Sequence, residues 1–376
     1  MKRRALLRAG ASSLMAMAAA PLLSRSTPSL AIDDCCPPEG LIRLCCNENP
    51  YGPSPMARQA IQEASILGNR YPQAPIQVLK EAIAEANGVS TEQVLIAPGS
   101  VSILRLVAWW LARREKAVLS AEVTFPWLLR FAQKLGCGWL TAPMTEDLHF
   151  DLGAIENGLD KEVGLVYLCN PNNPTGTSLP LQDIHQFCRK VSPDYPIFLD
   201  EAYVEYLPDY PQHNSAALLA DYPNVMISRT FSKIYGMAGM RVGYLLASAS
   251  VVEELEQLDI GYRIGVSNIS ASAALASLAD KDFVATSLAK NLESRAIVQK
   301  QLRQWDIPQY ASTANFIYAD MSRYSIEPLR AELKKQEISL NPAERDGQVF
   351  ARISLSSPND MYAFAKRMDQ FFTNHK

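Results

Sequence analysis

Short apolar runs alternate with segments of helical spacing through the middle of the chain, and that alternation is the strongest limit on how it can fold. Val94–Ala97, Val163–Cys169, Ile197–Leu199, Val225–Ser228 and Val242–Leu246 read as strands. Between them, Ile103, Leu104, Leu106, Val107, Trp110 and Leu111 repeat at helical spacing, and Leu181–Lys190 reads as a helix. Strands alternating with helices predict a largely parallel sheet with helices on both faces, an α/β architecture. Ahead of this region, Ile32 to Pro55 has no clear period and reads as an extended arm. Ala57 to Ala86 has helical spacing broken by Tyr71-Pro72 and Pro75. Beyond it come helical stretches, Val251–Gly261 and Ser270–Arg303, and then a shorter α+β section with strand candidates at Ala314–Ala319 and Val349–Leu355. A length of 376 residues with 48% hydrophobic content supports a large core, at roughly 150 residues per domain two or perhaps three domains. This excludes a disulfide miniprotein or a disordered tail.

The N-terminus reads as an address. Lys2-Arg3-Arg4 precedes a weakly apolar run from Ala9 to Leu23, the layout of a secretory signal. Arg3-Arg4 before Leu6-Leu7 resembles a twin-arginine export signal, with candidate cleavage after Ala20 or Ala31. The run is too interrupted to span a bilayer, and no later stretch is apolar and long enough to do so. The expectation is a soluble mature protein, periplasmic or otherwise exported. The alternative is a cytoplasmic protein with an ordinary basic amphipathic N-terminal helix.

A net charge of −3 gives no electrostatic reason to bind nucleic acid. The four histidines, His149, His185, His213 and His375, do not pair at metal-ligand spacing, and no metal site is expected.

In open α/β sheets, ligands bind beyond the carboxyl ends of the strands. Gly99-Ser100-Val101 follows the first strand at a helix start, where free backbone N–H groups suit an anion. Asn170-Pro171-Asn172-Asn173-Pro174-Thr175-Gly176 follows the second and, alone, is simply a turn. Asp200-Glu201-Ala202-Tyr203 follows the third, where a buried carboxylate needs a partner. Arg229-Thr230-Phe231-Ser232-Lys233 follows the fourth, with Arg241 eight residues after Lys233. Together these loops supply what pyridoxal phosphate needs: a lysine for its aldehyde, a carboxylate for its pyridine nitrogen, and donors for its ring oxygen and phosphate.

At this point the sequence resembles the fold-type I pyridoxal-phosphate enzymes, in particular the class I and II aminotransferases and, within them, the histidinol-phosphate aminotransferase subgroup. The resemblance runs from about Leu41 to the C-terminus. It rests on Asn47-Glu48-Asn49-Pro50-Tyr51-Gly52, Asn172-Asn173-Pro174-Thr175-Gly176, Asp200-Glu201-Ala202-Tyr203, Ser232-Lys233 with Ala238-Gly239-Met240-Arg241, and Arg352-Ile353-Ser354-Leu355. It implies a three-layer pyridoxal-phosphate-dependent transferase fold, with a mostly parallel sheet in a large domain and a smaller α+β domain. The implied division is a signal at 1–31, an arm at 32–55 belonging with the small domain, a large cofactor-binding domain at 56–263 and a small domain at 264–376.

It also implies roles. Lys233 matches the lysine that forms the Schiff base and moves the substrate α-proton. Asp200 matches the partner of the pyridine nitrogen, and Tyr203 and Asn173 the groups on the ring oxygen. Ser232, Arg241, Thr230 and the backbone at Ser100 and Val101 match the phosphate cradle. Phe125 matches the aromatic stacked on the ring. Tyr51 matches a tyrosine that reaches the neighbouring subunit's phosphate, which implies a homodimer with shared sites. Arg352 matches the arginine that takes the substrate carboxylate bidentately.

The implied reaction is ping-pong transfer of an amino group between an amino acid, or an amino-alcohol phosphate such as histidinol phosphate, and a 2-oxo acid. The rival on the same scaffold is a decarboxylase, a carbon–sulfur lyase or an oxidase. A regulator built on this domain would need an N-terminal DNA-binding module, for which residues 1 to 40 are too short.

Two departures stand out. Many relatives carry an acidic pair after the Gly-Ser turn, where this chain has Val101-Ser102; backbone donation survives that change. Relatives also often carry a substrate-reading arginine near 338–347, where this chain reads Leu340-Asn341-Pro342-Ala343-Glu344-Arg345. Arg345 does not align with that role, so histidinol phosphate does not follow as substrate.

Seven cysteines are too few for a disulfide scaffold, and the number is odd. Cys35-Cys36 and Cys45-Cys46 form two vicinal pairs in the arm. Ordinary thiols, a disulfide between the pairs and a soft-metal site are all open readings.

Overall fold

The apolar runs of the middle region are buried along their whole length, which requires cover on both faces of the sheet that they build. The computed structural model describes residues 40–191, 193–210, 212–258 and 265–374. The proposed signal at 1–31, Cys35 and Cys36, and the expected domain boundary at 263/264 lie outside the described residues.

The strands are β1 (Ile42–Arg43), β2 (Val94–Ala97), β3 (Ala117–Ala121), β4 (Trp139–Ala142), β5 (Val163–Cys169), β6 (Ile197–Asp200), β7 (Val225–Thr230), β8 (Gly243–Leu246), β9 (Phe316–Asp320), β10 (Ile338–Ser339), β11 (Ala343–Arg345) and β12 (Gln348–Ser354). Seven of them form the main sheet in the order β2-β8-β7-β6-β5-β3-β4. Pairing is parallel from β7 to β4, while β8 runs antiparallel to both β7 and β2. This is the mostly parallel α/β sheet that the alternation predicts. β3 and β4 have no counterpart among the strands that the sequence pattern marks. β4 is a half-buried edge strand with a mixed pattern, Trp139-Leu140-Thr141-Ala142, and carries little signal.

Side-chain caps fix several helix boundaries. Ser54 accepts a hydrogen bond from the Ala57 amide at 3.1 Å, and Pro55 opens the helix Pro55–Ala64. The helical stretch expected over Ser270–Arg303 consists of two helices, Asn268–Ala279 and Lys281–Gln304. Asp280 leaves helical geometry between them and caps the second through the Phe283 amide, 3.2 Å away.

Among the described residues, two hydrophobic cores result. The first contains the main sheet and reaches Ala271, Ala273 and Ala274, with Val284 and Leu288 packed against it. The second gathers Ile42 and Leu44 from the arm with Val298, Trp305, Ile353, Phe364 and Phe372. The arm therefore shares a core with the C-terminal segment. β1 pairs in parallel with β10, and β11, β12 and β9 form an antiparallel sheet beside it. This is the α+β character expected of the C-terminal section. Among the described residues, no helix is long and apolar enough to cross a membrane.

Candidate active site

β6 ends on Asp200 and β7 on Thr230, so the loops after them leave the same rim of the sheet. Asp200 is buried. Its Oδ2 accepts the Tyr167 hydroxyl at 2.9 Å, while its Oδ1 is buried with no partner among the described residues. Burial is the main cause that lifts the Asp200 carboxyl to about 6. A buried carboxylate oxygen left without a donor is costly unless a ligand supplies one. A protonated pyridine nitrogen is such a donor.

Tyr203 lies three residues beyond Asp200. Its hydroxyl accepts from Asn47 Nδ2 at 2.9 Å and from Asn173 Nδ2 at 3.3 Å, and its ring meets Phe316 edge-on. Burial pushes the phenol well up, so it stays protonated as a donor.

Lys233 follows β7. Its Nζ donates to the Cys46 carbonyl at 3.3 Å and stands 5.5 Å from the centre of the Tyr203 ring. Burial first, then the charge of Arg352, lowers its amine to about 8. A lysine depressed in this way offers a neutral nucleophile close to neutral pH.

The anion cradle forms around Gly99. Ser100–Ala112 is a helix whose first amides belong to Ser100 and Val101. Gly99 adopts φ +77°, and a Cβ there would run into the Arg241 guanidinium. A Cβ on Gly243 would lie 2.6 Å from the Ser100 nitrogen. Only glycines let the helix start, β8 and Arg241 converge this closely. Arg241 Nη1 reaches the Ser232 hydroxyl at 3.5 Å and donates to the Ala238 carbonyl at 2.8 Å. Thr230 Oγ1 lies 2.9 Å from Ser232 Oγ and accepts the Ser232 amide at 3.1 Å. Amides at a helix start, two hydroxyls and a guanidinium make a donor set suited to a phosphate dianion.

Arg352, on β12, faces this group from the second core. Its Nη1 donates to Asn173 Oδ1 at 2.8 Å and its Nη2 to the Cys45 carbonyl at 2.6 Å. Its Nε is buried without a partner among the described residues. Phe125, half-buried after β3, packs against the first core. The Tyr51 hydroxyl is also buried and has no partner among the described residues; Tyr51 lines a small pocket with Ser287 and Asn291.

The structure thus brings Lys233, Asp200, Tyr203, Asn173 and Arg352 into one group, and Ser100, Val101, Thr230, Ser232 and Arg241 into another beside it. Tyr167 and Asn47 were missed as members. Tyr167 reads as an apolar-strand residue. It becomes visible only when β5 and β6 are set side by side, with Tyr167 opposite Phe198 and Cys169 opposite Asp200. Arg345 donates to the Glu122 carbonyl at 3.3 Å and lines a cavity of about 160 Å3 with Tyr310, Tyr318 and Phe350. Of the arm cysteines described, Cys45 and Cys46 are free thiols. No cluster of three or more metal-ligating side chains occurs among the described residues.

Comparison with known proteins gives a consistent result. The family model for aminotransferase class I and II matches residues 39–367. Histidinol-phosphate aminotransferase 2 of Nitrosospira multiformis is 33% identical over 327 residues, covering 86% of this chain and 82% of the relative. Histidinol-phosphate aminotransferase of Moorella thermoacetica is 36% identical over 311 residues, covering 82% and 78%. The crystal structure of histidinol-phosphate aminotransferase from Sinorhizobium meliloti, in complex with pyridoxal 5'-phosphate, superposes with a TM-score of 0.80 at 26% identity. That match covers 89% of this chain and 92% of the other.

Proposed function

The chain belongs to the class I and II aminotransferases, and on that premise we propose that it moves an amino group from an anionic primary amine to a 2-oxo acid. The amine is an α-amino acid or an amino-alcohol phosphate such as histidinol phosphate, the substrate named for the relatives. When bound, pyridoxal phosphate supplies an electron sink for the carbanion at the substrate α-carbon.

The residues divide the remaining work. Asp200 Oδ1 accepts a ring N–H and keeps that nitrogen protonated. Tyr203 and Asn173 donate to the ring oxygen. Phe125 covers the ring face. The Ser100 and Val101 amides, Thr230, Ser232 and Arg241 hold the phosphate. Lys233 Nζ anchors the cofactor and, once free, carries the proton from the α-carbon.

The observation that carries this reading is Arg352. Two of its nitrogens are fixed by Asn173 and the Cys45 carbonyl, its Nε is left buried without a partner, and its charge is felt at Lys233. Such a guanidinium recognises a carboxylate or a phosphate by paired hydrogen bonds. Arg352→Lys keeps the charge and loses the fork. It should raise the half-saturating donor concentration roughly 100-fold, with a smaller effect on kcat. Steady-state kinetics over a panel of α-amino acids and histidinol phosphate tests both the role and the donor class. An unchanged KM for every donor would remove Arg352 from substrate recognition.

A homodimer with shared sites belongs to the same proposal. It is supported by a groove of about 740 Å3 beside the cradle, lined by Val101, Arg105, Trp109, Phe131 and Leu135. Trp109 is 52% exposed there. Sedimentation should give twice the chain mass, and a monomer at micromolar concentration would refute it. Export through a twin-arginine signal at 1–31 is likewise proposed. N-terminal sequencing of the mature protein should begin after Ala20 or Ala31, and an intact Met1 in the mature cellular protein would count against it.

A further inference from the structure

Four successive residues of the arm, Leu44 to Asn47, are each held by hydrogen bonds, the outer two by Ser339, Ser354 and Tyr203 and the inner two by Arg352 and Lys233. Leu44 donates its amide to Ser339 at 2.8 Å and accepts the Ser354 amide at 3.0 Å. The Cys45 carbonyl holds Arg352 Nη2, and the Cys46 carbonyl holds Lys233 Nζ. Asn47 is fixed by its amide to Ser354 Oγ, by Ser354 Oγ to its Oδ1 and by its Nδ2 to Tyr203. The Cys45–Cys46 peptide is therefore held on both sides, its own carbonyl on Arg352 and the next one, that of Cys46, on Lys233. The thiols of the same residues lie 3.0 Å apart. Ser339 Oγ donates to Cys45 Sγ at 3.3 Å, while Cys46 is exposed. Cys137, Cys169 and Cys188 are buried and do not compete for an oxidant in solution.

We propose that Cys45 and Cys46 are a modification site for small-molecule disulfides, closing to a reversible vicinal disulfide that weakens the grip of Arg352 on the anionic substrate. Burial and the adjacent Cys45 thiol raise the Cys46 thiol above its ordinary value, so the step is favoured at alkaline pH; there Cys46, the exposed member, attacks the external disulfide as its thiolate. One small thiolate leaves, and a mixed disulfide forms on Cys46. The Cys45 thiolate then attacks Cys46 Sγ, the S–S bond between the two cysteines forms, and the second small thiolate leaves. Two S–H protons pass to the two leaving thiolates. The protein is oxidised by two electrons, and one external disulfide is reduced to two thiols. Adjacent Cα atoms stand about 3.8 Å apart, closer than the Cα spacing of ordinary disulfides, so the ring closes under strain and reopens readily with a dithiol reductant. Closing it twists the Cys45–Cys46 peptide. Because Leu44 and Asn47 are anchored, the twist falls on the two carbonyls that hold Arg352 and Lys233.

The effect on substrate rests on Arg352 reading the donor anion; the thiol chemistry does not, and the experiment separates them. The full-chain holoenzyme is incubated with millimolar glutathione disulfide, then digested and mapped by mass spectrometry. The expected product is the Cys45–Cys46 peptide lighter by two hydrogens and free of glutathione. Pairing of either cysteine with Cys35 or Cys36, a stable glutathione adduct, or untouched thiols would overturn the proposal.

In parallel, each form is titrated with a donor amino acid, following the visible absorbance of the bound cofactor. The oxidised form should need about tenfold more donor, the equivalent of one charge-assisted hydrogen bond, and dithiothreitol should restore the reduced value. Equal titrations of the oxidised and reduced forms would overturn the switch. In Cys46→Ser, which lacks the attacking thiol, the ratio between treated and untreated protein should fall to one; a tenfold ratio that persisted would also overturn it. A reduced enzyme that responds to no donor would instead refute the proposed amino-group transfer on which the role of Arg352 rests, while the mass map still judges the thiol step.

Discussion

Lys233→Ala should cut turnover by at least ~10⁴-fold, because one nitrogen both anchors the cofactor and carries the α-proton. The visible absorbance that cofactor gives when bound through this lysine should disappear with it. A small primary amine such as methylamine should restore part of the proton transfer but none of the anchoring. The amine also sets a pH dependence. Burial and the neighbouring Arg352 hold it near 8, below the ordinary lysine range. The fraction of neutral amine in the cofactor-free protein, and with it the rate of cofactor capture, should rise about tenfold per pH unit from 6 towards 8 and level off above. For stability the sign is the opposite of a stabilising lysine. The unfolded chain binds more protons between pH 8 and about 10.4, so this residue's contribution to stability rises with pH through that window. Stopped-flow reconstitution of wild type and Lys233→Ala checks the kinetic part. Turnover within tenfold of wild type in the alanine variant would end the assignment.

Asp200→Asn should lower kcat by roughly 10²- to 10³-fold, the scale of removing one preorganised electrostatic partner. The amide can still accept the Tyr167 hydroxyl, so the local hydrogen bond survives. What is lost is the negative charge that keeps the ring nitrogen protonated. The cofactor-free protein should respond in the opposite sense. Burial raises the Asp200 carboxyl from the ordinary range to about 6. The folded state then holds a proton between about pH 4 and 6 that the unfolded state has released, and stability falls as pH rises through that window. Above pH 7 the buried, ionised carboxylate should therefore cost roughly 2–3 kcal/mol that asparagine does not. Urea unfolding of both cofactor-free proteins at pH 5 and pH 8 measures it. A gain in stability at pH 8 together with lost turnover marks a residue kept for chemistry. A loss of both would make Asp200 a structural carboxylate.

The sequence and the structure agree most closely where burial is continuous. β5 spells Val-Gly-Leu-Val-Tyr-Leu-Cys and is buried along its whole length, so its limits are visible in the pattern. The loops after β5, β6 and β7 carry their chemistry in consecutive residues, and the site residues there could be named before any fold was drawn. What stayed hidden is what depends on distant segments meeting. Tyr167 looks like one more core residue until β6 lies beside β5. Asn47 and Ser354 are 307 residues apart and meet only because β12 turns its end towards the arm. The boundary at Asp280 is hidden because apolar spacing continues across it; the turn out of helical geometry there and the capping bond to Phe283 show only in the structure. Arg345, which no motif could place, points to the Glu122 carbonyl and an aromatic-walled cavity.

The central claim is amino-group transfer, and a single half-reaction tests it most directly. Holoenzyme is mixed with excess donor amino acid and no 2-oxo acid, and the products are counted per active site. The expected result is one equivalent of 2-oxo acid and one of the cofactor's amine form, after which the reaction stops until an acceptor is added. Continuous release of carbon dioxide, sulfide or peroxide, with the cofactor remaining in its aldehyde form, would contradict it.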